Sequence, residues 1–193
     1  MKRYLFVLIL FQFAVQSFGQ SNRYLQLLEI AKGQAGLVLW SKPARVSLDS
    51  GIIKQYFRRV FKVEINDSLL SDLIHSTRMM DTTKWKAEEF SRTVLIEDRS
   101  ITINTKRILD SWKISDKIER KKYRQFLNNW INTNEQERPV NRLSKPVLTK
   151  NEEYGVIKKD LTEGGLCCGG QVNLYKYESG GWKDVGVIYS WKY

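Results

Sequence analysis

Apolar positions along the chain recur first at helical spacing and later at strand spacing. From Asn22 to Lys32, Tyr24, Leu27, Leu28 and Ala31 share one helical face, and Gly33 supplies a stop. The run Gly36 to Trp40 is apolar, ends before Lys42-Pro43, and predicts a short strand. Ile52, Ile53, Tyr56, Phe57, Val60 and Phe61 mark the buried face of a helix, with Asp49 or Ser50 as its cap. A further helix opens at Asn66-Asp67-Ser68 and buries Leu69, Leu70, Leu73 and Ile74. A short piece from Thr83 to Phe90 follows, with Trp85 and Phe90 as its core residues.

The period then changes. Thr93 to Ile96 and Ser100 to Ile103 are β-rich and flank the charged turn Glu97-Asp98-Arg99. Asp116 and Glu119 have capping-box spacing and open the strongest helix, whose stripe is Tyr123, Phe126, Leu127, Trp130 and Ile131. From Pro146 onward the pattern predicts antiparallel strands at Val147–Thr149, Tyr154–Lys159, Val172–Tyr177 and Trp182–Trp191. The last two flank Glu178-Ser179-Gly180-Gly181, a hairpin signal. Alternation puts Val185, Val187, Tyr189 and Trp191 on one sheet face. The fold class expected is α+β, with N-terminal helices packed on a C-terminal antiparallel sheet, a meander that includes the hairpin 172–191. No internal repeat or linker divides residues 20–193, which read as a single domain.

Residues 1–19 read differently. Met1-Lys2-Arg3-Tyr4, an apolar stretch from Leu5 to Val15, and the small residues Ser17 and Gly19 make up a secretory signal peptide. Cleavage is expected between Gly19 and Gln20. The apolar stretch is too short for a membrane span, which needs about 20 residues. The chain is therefore expected to be exported, to the periplasm or beyond, and to have no membrane span.

Composition adds one strong feature. The chain of 193 residues carries 32 Lys+Arg against 21 Asp+Glu, a formal +11. Removing the leader takes Lys2 and Arg3 with it and leaves +9. With 42% hydrophobic residues the chain can bury a core, which excludes disordered and collagen-like classes. One His and two adjacent Cys exclude the commoner zinc arrangements, and no cofactor is expected.

Part of the sequence has a familiar look. Leu143 to Asn151, the Gly/Cys-rich segment Gly164 to Gly170, and Gly181-Trp182-Lys183 follow one another as a polar-turn opening, a strand, a loop and a hairpin. The run from Trp85 through Phe90 to Leu95-Ile96 and the aromatic helix ending at Trp130 look similar too. Together they resemble a group of small secreted proteins of Bacteroidetes-type bacteria without an assigned activity. The resemblance implies export and the fold, and brings no catalytic residue. Related chains space their loop cysteines apart, whereas Cys167 and Cys168 are adjacent here.

Several groups are candidates for chemistry. Cys167 and Cys168 offer a redox-responsive pair, a soft-metal thiolate pair or an intermolecular bridge; the plainer reading is two small residues in a β-loop. A vicinal disulfide would distort the peptide, because adjacent Cα atoms stand about 3.8 Å apart and bridged ones usually about 4.4–6.8 Å. His75 could act as a base, yet no nucleophile motif accompanies it, and a helix C-terminus favours imidazolium in any case. The pairs Glu88-Glu89, Glu97-Asp98 and Glu152-Glu153 are solvated charge and receive no role. Lys117, Arg120, Lys121, Lys122 and Arg124 gather basic charge on one helix as an interaction surface, or simply as a solvated face. Their aromatic neighbours turn toward the core, and export disfavours nucleic acid. Trp182, beside the hairpin tip, is the tryptophan expected to be exposed.

The reading favoured is a secreted or periplasmic binding module without a recognisable catalytic site. Its partner is expected to be an acidic protein or an anionic envelope polymer. The rivals are an envelope-polymer hydrolase with a dispersed site and a thiol redox-responsive protein.

Overall fold

The computed structural model describes residues 22–33, 37–163 and 167–192. The leader, the cleavage position and Gly164 to Leu166 lie outside the described residues. Helix α1 covers 22–32. It is followed by strand β1 (Val38–Trp40), helices α2 (Ser50–Val60) and α3 (Asp67–Arg78), strand β2 (Val94–Ile96), and helices α4 (Thr105–Ser111) and α5 (Lys117–Asn132). Strands β3 (Val140–Leu143), β4 (Val147–Leu148), β5 (Tyr154–Glu163), β6 (Cys167–Glu178) and β7 (Gly181–Lys192) complete the chain. The class is α+β.

Caps written in the sequence start the helices. The Asp49 carboxylate accepts from the Gly51 and Ile52 amides of α2, and the Asn66 side chain accepts from Ser68 N of α3. Asp116 accepts from Glu119 N at 2.6 Å to start α5. Glu119 does not complete the box; its carboxylate pairs with Arg92 instead.

The sheet order is β2-β1-β3-β5-β6-β7, with β4 beside β5. β1 pairs parallel with β2 and β3, while β3, β5, β6 and β7 are antiparallel. The Ser179-Gly180 turn has φ of 54° and 82°, the pair of positive values that a two-residue hairpin with the right twist requires. Opposite faces of the sheet bury different partners. On one face α2 and α3 pack Ile53, Tyr56, Phe57, Leu70 and Leu73 against Val156, Val172 and Leu174. On the same face, at the β1–β2 end, α4 and α5 pack Leu109, Leu127 and Trp130 against Val38, Ile96 and Val140. The other face is covered by α1 and by the segment holding Trp85 and Phe90.

Three sequence expectations change, and one short segment gains a definite form. Ser100 to Ile103 forms no strand: the Arg138 guanidinium takes the carbonyls of Arg99 and Ile101, and Asn104 turns the chain into α4. The short segment Thr83 to Phe90 carries a 3-10 turn at Ala87–Glu89, and Trp85 and Phe90 are buried as expected, with their rings edge-to-face. In β7 the register shifts twice, so Val187 pairs with Asn173 while Ile188 enters the core beside Val185, Tyr189 and Trp191. Alternation assumes an unbroken ladder, and bulges reset it. Trp182, expected at an exposed tip, is 6% exposed; its indole N–H donates to Arg23 O at 2.8 Å and α1 covers it. It offers no interaction surface.

Candidate functional site

One of the five basic positions of α5 is taken up by a neighbouring helix. Lys117, Lys121, Lys122 and Arg124 are exposed, but Arg120 is half-buried, donates to Leu109 O at 3.1 Å and pairs with Asp110. Arg120 therefore ties α5 to α4. Cys167 and Cys168 pair with Glu163 and Thr162 in the β5–β6 ladder. A continuous ladder is extended backbone, whereas a vicinal bridge needs a distorted peptide.

His75 lies in the last turn of α3 and lines a polar depression of about 370 Å³ with Ser68, Ser71, Asp72 and Lys150. The Asp72 carboxylate accepts from Lys150 N at 2.8 Å and from Ser76 Oγ at 3.4 Å. It thus anchors the β4–β5 turn. Among the described residues, no group of three or more His, Cys, Asp or Glu could hold a metal. No helix there is long and apolar enough to cross a membrane.

A different set of residues converges on the sheet. Register places Trp40, Arg142, Lys158, Asp160, Tyr189 and Trp191 on the face shared by both helix pairs, between the two clusters those helices bury. In β5, Val156 continues the core while Lys158 and Asp160, two and four residues on, put charge on that same face. The cations of β3 and β5 lie between aromatic rings on β1 and β7. The guanidinium carbons of Arg99 and Arg142 lie 6.0 and 5.7 Å from the Trp40 ring. Lys158 Nζ is 4.7 Å from the Trp191 ring and 3.4 Å from Asp160 Oδ1. Trp191 stacks beside Tyr189 at 5.8 Å, and the Tyr189 hydroxyl donates to Ser47 O.

Gly170 makes room for this arrangement. A Cβ there would sit 2.2 Å from Trp191 Cζ2 and 2.7 Å from Lys159 O, so only glycine lets the indole lie on the strand. Burial raises the Tyr189 phenol above its usual value, and the Asp160 charge adds to the effect.

Polar accounting along the row is incomplete. Arg142 and Asp160 face each other in the β3–β5 register, yet Asp160 pairs with Lys158 and not with Arg142. Arg99 Nε, Arg142 Nε and Asp160 Oδ1 are buried without a hydrogen bond. Asp160 Oδ1 thus has an ion-pair neighbour but no hydrogen-bond donor in line. Buried polar atoms are nearly always satisfied by protein, water or ligand. None of these residues was a sequence candidate. The signal was present in Val156-Lys158-Asp160, where charges occupy inward positions of a strand.

The second polar cluster is a latch. Lys145, 6% exposed, donates to Asp81 Oδ2 at 2.5 Å and to Thr83 Oγ1 at 3.0 Å, and its Nζ lies 5.4 Å from the Trp85 ring. Hydrogen bonds from Lys145 and Thr83 hold the Asp81 carboxyl down at about 2. The cluster ties the 81–85 segment to Lys145, just after β3.

The chain stands apart in comparison with known proteins: no family model, no curated sequence and no solved structure matches it.

Proposed function

We propose that the protein is an exported binding module, freed by cleavage between Gly19 and Gln20, that takes an extended polyanion along the row from Trp40 to Trp191. The observation that carries this reading is the row's charge balance: Arg99, Arg142 and Lys158, each partly exposed, stand against one carboxylate, Asp160. Three cations against one anion call for negative charge from a ligand, and planar guanidinium groups suit carboxylates. The row crosses β1, β3, β5, β6 and β7, four strand spacings or about 19 Å. That length exceeds a single ion and matches a short run of acidic repeats. An acidic envelope polysaccharide, rich in uronic acid carboxylates, fits that length, the charge and export together.

The test is a titration with oligogalacturonate at several salt concentrations, with dextran, poly-glutamate and oligothymidylate in parallel. Binding to oligogalacturonate should weaken as salt rises, and Arg142→Ala and Lys158→Ala should each lower affinity about tenfold. Equal binding to dextran, or no loss in either variant, would overturn the reading. Tighter binding to poly-glutamate would replace the glycan with an acidic protein, and tighter binding to oligothymidylate would replace it with nucleic acid.

A further inference from the structure

A cavity of about 390 Å³ opens elsewhere, between the C-terminal end of α1 and the first half of α5. Its wall and floor are Leu37, Tyr123 and Phe126, and its charged members are Glu29, Lys32, Arg92, Glu119 and Lys122. This is a size at which pockets hold small molecules, and the mixture of apolar floor with a few charges is the usual composition of such sites.

The charged members divide by what they already do. Lys32 donates to Ser91 O at 2.5 Å, pairs with Glu29 at 2.8 Å and lies 3.5 Å from Ser91 Oγ, so all three of its protons have acceptors. Glu29 also accepts from Ser91 N at 2.9 Å. That set clamps the 91–92 turn to α1. Arg92 is different. One of its terminal nitrogens, Nη1, meets Glu119 and lies 3.5 Å from the Tyr123 hydroxyl, the guanidinium carbon lies 5.7 Å from the Tyr123 ring, and its side chain is 37% exposed at the cavity.

The Arg92 backbone gives an independent indication. Five non-glycine residues among those described have positive φ: Lys62, Arg92, Lys113, Glu152 and Ser179. Lys62 and Lys113 follow the caps of α2 and α4, where a left-handed residue ends a helix. Glu152 and Ser179 lie in the turns before β5 and β7. Arg92, at φ 53°, ends no α-helix and forms no hairpin. A side chain held in this region is strained. Glycine would relieve the strain, yet the position carries the guanidinium that enters the cavity.

We propose that this cavity is a second site, separate from the sheet row, for a small ligand with an apolar body and one carboxylate. The apolar body lies on Leu37, Tyr123 and Phe126. The carboxylate meets Arg92 on a rim where Lys32, Arg92 and Lys122 outnumber Glu29 and Glu119 by one charge. Since Lys32 is saturated, recognition of the carboxylate falls to Arg92.

Octanoate and phenylacetate are the probes, with octanol and phenylacetamide as uncharged counterparts, followed by backbone amide NMR on the intact protein. The carboxylates should shift residues 29–33, 91–93 and 119–126, with the uncharged analogues at least tenfold weaker. Arg92→Gly should lose about tenfold in affinity while its melting temperature stays level or rises, the signature of a residue kept for binding at a cost in strain. Lys122→Ala provides a second variant without backbone change and should weaken the carboxylates by a smaller factor. The proposal fails if neither carboxylate binds at 10 mM, if uncharged analogues bind equally, if the shifts map elsewhere, or if Arg92→Gly binds like wild type.

Discussion

Replacing Lys145 with methionine removes one ammonium and leaves most of the buried stem in place. In the folded protein that ammonium serves Asp81 and Thr83 and lies 3.9 Å from Glu89. Asp81 titrates at about 2, against an ordinary value of 3.8. That difference, which Lys145 shares with two Thr83 hydrogen bonds, is worth about 2.5 kcal/mol without screening. Asp81 is 53% exposed, so water screens the pair and a figure of about 1 kcal/mol is appropriate. Loss of the Thr83 bond and of the Trp85 contact adds about 0.5–1 kcal/mol. Lys145→Met should therefore destabilise by about 1.5–2 kcal/mol, or about 3–8 °C in Tm for a chain of this size. The pH dependence is a second check. Because the folded-state value lies below the unfolded one, the Asp81 contribution is fully present above about pH 4 and is lost as pH falls through 2. Melting curves by circular dichroism at pH 7, 4 and 2 measure both effects, and the gap between variant and wild type should narrow at pH 2. A gap below 0.3 kcal/mol at neutral pH, or one that stays constant down to pH 2, would refute the reasoning.

Other positions yield shorter predictions. Arg138, 7% exposed, donates to Ile131 O and Thr133 O at the end of α5 and to Arg99 O and Ile101 O, with its guanidinium carbon 4.8 Å from the Trp130 ring. Arg138→Met should cost about 3 kcal/mol in urea unfolding, and Arg138→Lys should recover less than half of it, because ammonium lacks the planar fork. Gly170→Ala forces Trp191 off the strand and should cost about 1–3 kcal/mol, with a changed near-ultraviolet dichroism spectrum. In denaturant without reductant, both Cys167 and Cys168 should react with iodoacetamide, adding two alkyl groups by intact mass; no addition would restore the vicinal bridge.

Elements carried by local signals were legible in the sequence, and elements carried by distant partners were not. The starts of α2, α3 and α5 were readable because Asp49, Asn66 and Asp116 cap the amides immediately after them. The β6–β7 hairpin was readable from its turn. Parallel pairing of β1 with β2 was not, since Val38 and Val94 meet across 55 intervening residues that carry no pairing signal. Ser100 to Ile103 has strand composition, but its carbonyls go to a guanidinium far along the chain at Arg138. The burial of Trp182 depends on α1, more than 150 residues away.

The candidate site was less legible than the fold. Arg142, Lys158 and Asp160 read singly as polar residues of strands, and only the β3–β5–β6 register brings them onto one face with Trp40 and Trp191. The densest run of charge lies instead on α5. Density in sequence is not convergence in space: one of those five residues, Arg120, is committed to binding α4. Inward charge at period two in a strand was the informative pattern, because such residues need a partner that the core does not provide.

Six tryptophan indoles give the account its most direct test, since they report on different places in one protein. Trp40 and Trp191 belong to the row, while the indole N–H groups of Trp130 and Trp182 donate to Pro139 O and Arg23 O inside the fold. Adding oligogalacturonate to nitrogen-15-labelled protein should move the Trp40 and Trp191 indole signals in saturable fashion and leave Trp130 and Trp182 in place. Movement of Trp130 and Trp182 with Trp40 and Trp191 unchanged, or no movement at any of the four, would contradict a binding row on the sheet.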